Sequence, residues 1–117
     1  MEYMLLIYGS EAEAKKMSHE DGQKLYQEYM TFTQDLTKSG KNKGGNPLEQ
    51  TATATTVRVR NGKTMVTDGP FAETKEQLGG YYLVEAKDLD EAISIAARIP
   101  GAKFGSIEVR PVMKMNM

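Results

Sequence analysis

The side chains of this 117-residue sequence that could move a proton or hold a ligand are few in kind. There is no cysteine and one histidine, His19, which excludes disulfides, Cys-based zinc sites, thiolate nucleophiles and any mechanism needing two imidazoles from one chain. Carboxylates, tyrosines and backbone groups remain. They are densest in Asp68-Gly69-Pro70-Phe71-Ala72-Glu73-Thr74-Lys75-Glu76-Gln77-Leu78-Gly79-Gly80, followed by Tyr81. An aspartate at a turn ordinarily accepts from the amide two residues on, but here that residue is Pro70, which has no N–H. The Asp68 carboxylate is left for the amides of Phe71 or Ala72, for Lys75, or for a ligand. Two readings stand side by side. In one, the segment is a cleft wall: Asp68 is an acceptor or general base, Phe71 an apolar floor, Glu73 and Lys75 sit at the rim, and Tyr81 or Tyr29 donates. In the other, Asp68 caps a turn, Phe71 plugs the core and the charges from Glu73 to Gln77 are solvated. Gly69 precedes a proline and is expected to be extended; Gly79-Gly80 permits close backbone approach.

Other chemistries find little support. One histidine and scattered carboxylates lack metal-ligand spacing, and Lys43-Gly44-Gly45-Asn46 matches no phosphate-binding glycine loop, so neither metal nor cofactor is expected. His19 falls at a helix start, where imidazolium is disfavoured. A net charge of −1 argues against direct nucleic-acid binding. No run approaches the roughly 20 apolar residues of a membrane helix, and Tyr3 to Tyr8 is too short for a signal peptide, which makes a cytoplasmic protein the expectation. The tail alternates Met113, Met115 and Met117 with polar residues, an adaptable sticky tail or a fraying end.

The elements that must position these groups follow from periodicity. Tyr3 to Tyr8 and Tyr81 to Val84 are apolar at consecutive positions, as in strands buried on both faces. Ser18 caps a helix reaching Ser39, with Leu25, Tyr29, Phe32 and Leu36 on one stripe; Glu11 to Met17 reads as polar connection. Between 41 and 50, glycines and Pro47 allow only a short edge strand. Asn61-Gly62 predicts a hairpin pairing Arg60 with Lys63, Val59 with Thr64, Arg58 with Met65 and Val57 with Val66. The row Arg58, Arg60, Lys63 is then a solvated face or an anion site. Asp88 and Glu91 start a second helix that stops before Pro100-Gly101, and Ser106 to Arg110 alternates as an edge strand.

This order is α+β: a ferredoxin-like βαββαβ arrangement with an inserted β-hairpin, as one domain over 1–117. Two helices cover one face of such a sheet, yet the central strands are apolar on both. The hairpin could shield part of the second face. The economical cover is a second subunit, giving a homodimer with the interior of a dimeric α/β barrel.

The segment from Asp68 to Gly80, with Thr53 to Arg58, Tyr81-Tyr82, the helix from Asp88 to Ile99 and Ile107 to Val112, resembles the DGPF-motif group of the YCII-related proteins. The resemblance covers nearly the whole chain and implies a dimeric α+β barrel. It implies no settled reaction; some members lie beside, or are fused to, sigma factors of the extracytoplasmic-function type. Many members carry a first-helix histidine near an aspartate, which this first helix lacks, offering Tyr26, Glu28 and Tyr29 instead; a Glu28 and Asp68 carboxylate pair is a further possibility. The expectation is a homodimeric small-molecule-binding or regulatory module, tied in some way to a sigma-factor pathway. The alternative is a small cofactor-independent enzyme using Asp68 and a tyrosine for acid-base chemistry.

Overall fold

The computed structural model describes residues 1–115. Of the methionine tail, Met113 and Met115 are exposed and Met117 lies outside the described residues.

Strand β1 (Glu2–Gly9) opens the chain, followed by a short helix α1 (Glu11–Ala14) and the long helix α2 (His19–Lys38). The helix α1 replaces the expected polar connection: Ser10 Oγ accepts from the Glu13 amide at 3.1 Å, and Glu-Ala-Glu-Ala has high helix propensity. In α2, Ser18 Oγ accepts from the Asp21 amide at 3.0 Å, and Phe32 and Leu36 of the apolar stripe are buried. Then come β2 (Asn42–Pro47), β3 (Thr55–Arg60), β4 (Lys63–Asp68), β5 (Gln77–Glu85), α3 (Leu89–Ala97) and β6 (Ser106–Pro111). Asp88 Oδ1 accepts from the Glu91 amide at 2.9 Å, and Glu91 Oε1 accepts from the Lys87 amide at 3.0 Å, a reciprocal cap for α3.

Four strands form one antiparallel sheet in the order β2-β5-β1-β6, so the two consecutively apolar strands are central and β2 and β6 are the edges. Alternation splits β1. Tyr3 and Leu5 are buried beneath the helices with Val84, Phe32, Leu36, Ala92, Ile95 and Ile99, while Met4, Leu6 and Tyr8 point to the other face. Tyr82 packs edge-on against Phe32, ring centroids 5.2 Å apart, and shares a 2.6 Å hydrogen bond with the Thr33 hydroxyl. Helices α2 and α3 therefore serve one face. The 19 Å thinnest dimension is that of one helix layer on one sheet.

Strands β3 and β4 form a separate two-stranded sheet in the register expected from Asn61-Gly62. Both turn residues have positive φ, 52° and 74°, as a type I′ turn requires. The hairpin does not shield the second sheet face as expected: Val57, Val59, Met65 and Val66 are each more than half exposed. It has too few residues to bury its own apolar side and bonds to no strand of the larger sheet.

Candidate functional site

The uncovered sheet face is built from strand parity. Register places Leu6 between Tyr81 on β5 and Glu108 on β6, Met4 between Leu83 and Arg110, and Tyr8 between Leu78 and Ser106. The centre is thus an apolar strip of Met4, Leu6 and Leu83 with two tyrosines on it. Tyr81 Oη accepts from Asn46 Nδ2 at 3.0 Å, and the Tyr8 hydroxyl donates to Glu108 Oε1 at 3.4 Å. Nearby, Ser106 Oγ donates to Glu76 Oε1 at 2.9 Å. A phenol that accepts one bond still has its own proton to donate, so Tyr81 is a donor on an apolar surface. This arrangement suits a flat ligand with polar edges.

Gly80 has a packing reason: a Cβ there would come within 3.0 Å of the Asn46 carbonyl oxygen, where β2 closes on β5. Gly79 is exposed and meets no such limit.

The other residues singled out in the sequence are not gathered at this strip. Asp68 ends β4 opposite Thr55, exposed, and among the described residues no amide or side chain donates to it, so it is not the turn cap. The turn is held instead by the Thr56 hydroxyl donating to the Gly69 carbonyl at 2.8 Å and by the Gly69 amide donating to the Ala54 carbonyl at 2.7 Å. Gly69 is not extended as expected: its φ is +95°, open to it because it has no Cβ, and this overrides the pre-proline bias. Phe71, 79% exposed, neither plugs the core nor floors a cleft within one chain, and Glu73 and Lys75 are exposed. Glu76 and Gln77, by contrast, are half-buried and bonded, Gln77 Oε1 accepting from the Glu11 amide at 2.9 Å.

Tyr29 lies in the helix layer, across the sheet from Tyr81. Its hydroxyl accepts from the Gly101 amide at 3.1 Å, and burial raises its pKa above the ordinary phenol value, against the lowering effect of that amide. Glu28 bonds Lys103 Nζ at 3.4 Å in that same layer and makes no pair with Asp68. His19 is exposed at the first turn of α2. A hollow of about 400 Å³ between α2 and the Pro100 turn also belongs to this layer; Arg98 lies over the Phe32 ring there, Lys103 pairs with Glu28 at 3.4 Å, and Asp35 also lines it.

Residue-level reading of the sequence did not find Glu11. Its carboxylate accepts from the Thr51 amide at 2.9 Å and from the Thr51 hydroxyl at 2.7 Å, tying the turn after β1 to the root of the hairpin. The Thr51 hydroxyl and amide lower its pKa. Nor did it find the Tyr8 and Glu108 contact; the two-residue spacing Met4, Leu6, Tyr8 was the signal available, but the partner lies 100 residues away. Among the described residues, no three histidine, aspartate or glutamate side chains gather as a metal site would require, and no helix is long and apolar enough to cross a membrane.

An antiparallel four-stranded sheet under one helix layer, with a polar-edged apolar strip on its free face, defines a small α+β domain built around a sheet surface. The chain belongs to the YCII-related domain family, whose model matches residues 1–116. It is 38% identical over 114 residues to the uncharacterized protein R00369 of Rhizobium meliloti strain 1021, covering 96% of this chain and 92% of that one. Its fold is similar to that of 5-chloro-2-hydroxyhydroquinone dehydrochlorinase from Burkholderia phenoliruptrix AC1100, solved in complex with 2,5-dihydroxybenzoquinone, at a TM-score of 0.58 and 16% identity over 97% of this chain and 94% of that one.

Proposed function

We propose that this protein is a homodimeric small-molecule-binding module in which two ferredoxin-like subunits close their free sheet faces over a ligand, as a dimeric α/β barrel. The observation that carries the reading is the free face itself: Met4, Leu6 and Leu83 on the two central strands, with the Tyr8 and Tyr81 hydroxyls among them and, among the described residues, no helix packed on that side. The strand order β2-β5-β1-β6 supports the ferredoxin-like assignment. A hydroxylated aromatic or quinone-like ring fits the strip chemically, and the ligand named for the structural neighbour is of that kind. The Asp68 to Phe71 sequence supports placing the chain in the DGPF-motif group, and with it a regulatory role coupled to a sigma-factor pathway in which the bound ligand is the signal.

Titration calorimetry against hydroxylated quinones and aromatic acids tests the reading. We expect saturable binding with one ligand class, weakened about tenfold in Tyr81→Phe, the equivalent of one lost hydrogen bond of about 1.4 kcal/mol. Binding that ignores both Tyr81→Phe and Tyr8→Phe would refute it.

A second reading is favoured by the same fold likeness, because that neighbour is an enzyme. Asp68, carried to the strip by a second copy, would then be a base and Tyr81 an acid, with Phe71 as apolar floor, Glu73 and Lys75 at the rim and Tyr29 acting only through the fold. Turnover of a bound compound, abolished in Asp68→Asn at unchanged melting temperature, distinguishes enzyme from binder.

A further inference from the structure

We infer that the β3–β4 hairpin is an exchange arm whose valine face packs on the body of a second copy of this chain, closing the rim of its free sheet face. The inference rests on the homodimer proposed above and adds an interaction surface to it. Val57, Val59 and Val66 are 59%, 59% and 63% exposed and share one side of the hairpin. A two-stranded hairpin alone in water is marginal at best, yet this one keeps six residue pairs in register. Its projection is visible in the dimensions: the radius of gyration is 16.3 Å, against about 13–14 Å for a compact chain of this length.

Charge identifies the occupant. The opposite side of the arm carries Arg58, Arg60 and Lys63, and among the described residues no acidic side chain pairs with any of them. With Asp68 the arm is net +2 in a chain of net −1, which leaves the body at −3. Arm against arm would therefore repel, and arm against body attracts. By strand parity Glu2, Glu85, Glu108 and Arg110 border the free face; Glu85 pairs with the N-terminal amine and Glu108 with Arg110, which leaves Glu2 as the acid at that rim for the arm's cations. The arm is also continuous along the chain with that face, through Gly69 and the exposed Phe71 into β5. A reciprocal exchange about a twofold axis lays each arm along the rim of the partner's free face while the two faces close on one another.

Hydrogen exchange on the full chain over a dilution series, with sedimentation equilibrium in parallel, tests the arm. Amides of 55–68 should exchange at least tenfold more slowly in the dimer than in the diluted monomer. Val57→Asp combined with Val59→Asp and Val66→Asp should raise the dimer dissociation constant at least a hundredfold. Arg58→Glu with Arg60→Glu and Lys63→Glu, which spares the valines, should raise it more at low salt than at high salt. A wild-type dimer whose arm amides exchange freely, and whose dissociation constant neither variant changes, overturns the arm and leaves the dimer standing. A chain that stays monomeric throughout overturns both.

Discussion

Tyr29 shows how one side chain is diverted from chemistry to support. Its hydroxyl satisfies the Gly101 amide, and replacing it by phenylalanine leaves a half-buried N–H without a partner, at a cost of about 1–2 kcal/mol. Thermal unfolding of Tyr29→Phe should register that loss while ligand binding at the free face is unaltered. The raised pKa of Tyr29 adds a sign: its neutral form is the one the fold stabilises, so that contribution is complete below the ordinary phenol range and disappears as pH climbs through the higher folded value. Gly105 is constrained differently. A Cβ there would overlap the Tyr8 carbonyl oxygen, which is backbone of the central strand and cannot step aside. Gly105→Ala should destabilise by about 1–3 kcal/mol, measured by urea unfolding, and disturb the Tyr8 hydroxyl on the other side of the sheet.

Elements in this chain are held at their ends by carboxylates and hydroxyls. The cap of α3 is a pair of bonds, Asp88 Oδ1 to the Glu91 amide and Glu91 Oε1 to the Lys87 amide, and Lys41 Nζ reaches Glu91 Oε2 at 3.0 Å. Asp88→Ala should lower stability by about 1 kcal/mol in chemical denaturation. At the hairpin root, Glu11 grips Thr51, and the two Thr51 bonds hold its carboxyl below the ordinary value. A folded-state pKa below the unfolded one means stabilisation that is complete above the ordinary carboxylate range and is lost as pH falls through the lowered value. Comparing the pH dependence of stability for wild type and Glu11→Gln should show a flatter acid limb in the variant. The capped starts of both long helices and the hairpin register were readable because each depends on residues within a few positions of one another. The helix α1 and the Glu11 grip on Thr51 were not, since the second depends on residues 40 apart meeting in space.

At the scale of the molecule, the two central strands present apolar side chains to both faces and the helices occupy one. A half-buried apolar face with no helix on it is expected to associate, and Leu6→Glu, in the middle of the strip between Tyr81 and Glu108, should convert a dimer to a monomer in sedimentation at micromolar concentration. The melting temperature of wild type should rise with protein concentration and that of Leu6→Glu should not. The shape argues in the same direction, a slab 19 Å thick with an arm that its own body does not cover.

Local pattern alone settled where the sheet strands, the two longer helices and the hairpin lie, because apolar periodicity, caps and Asn61-Gly62 act over a few residues. Composition narrowed the chemistry: with no cysteine and one histidine, His19, the chain has no thiol and no second imidazole of its own. Tertiary structure decided which of them share a surface. It put Tyr29 and Tyr81 on opposite sides of one sheet, left Asp68 and Phe71 outside the core, and set Tyr8 beside Glu108. Those outcomes depend on strand register and on which face the helices take, and register is fixed by pairing between segments far apart in the chain.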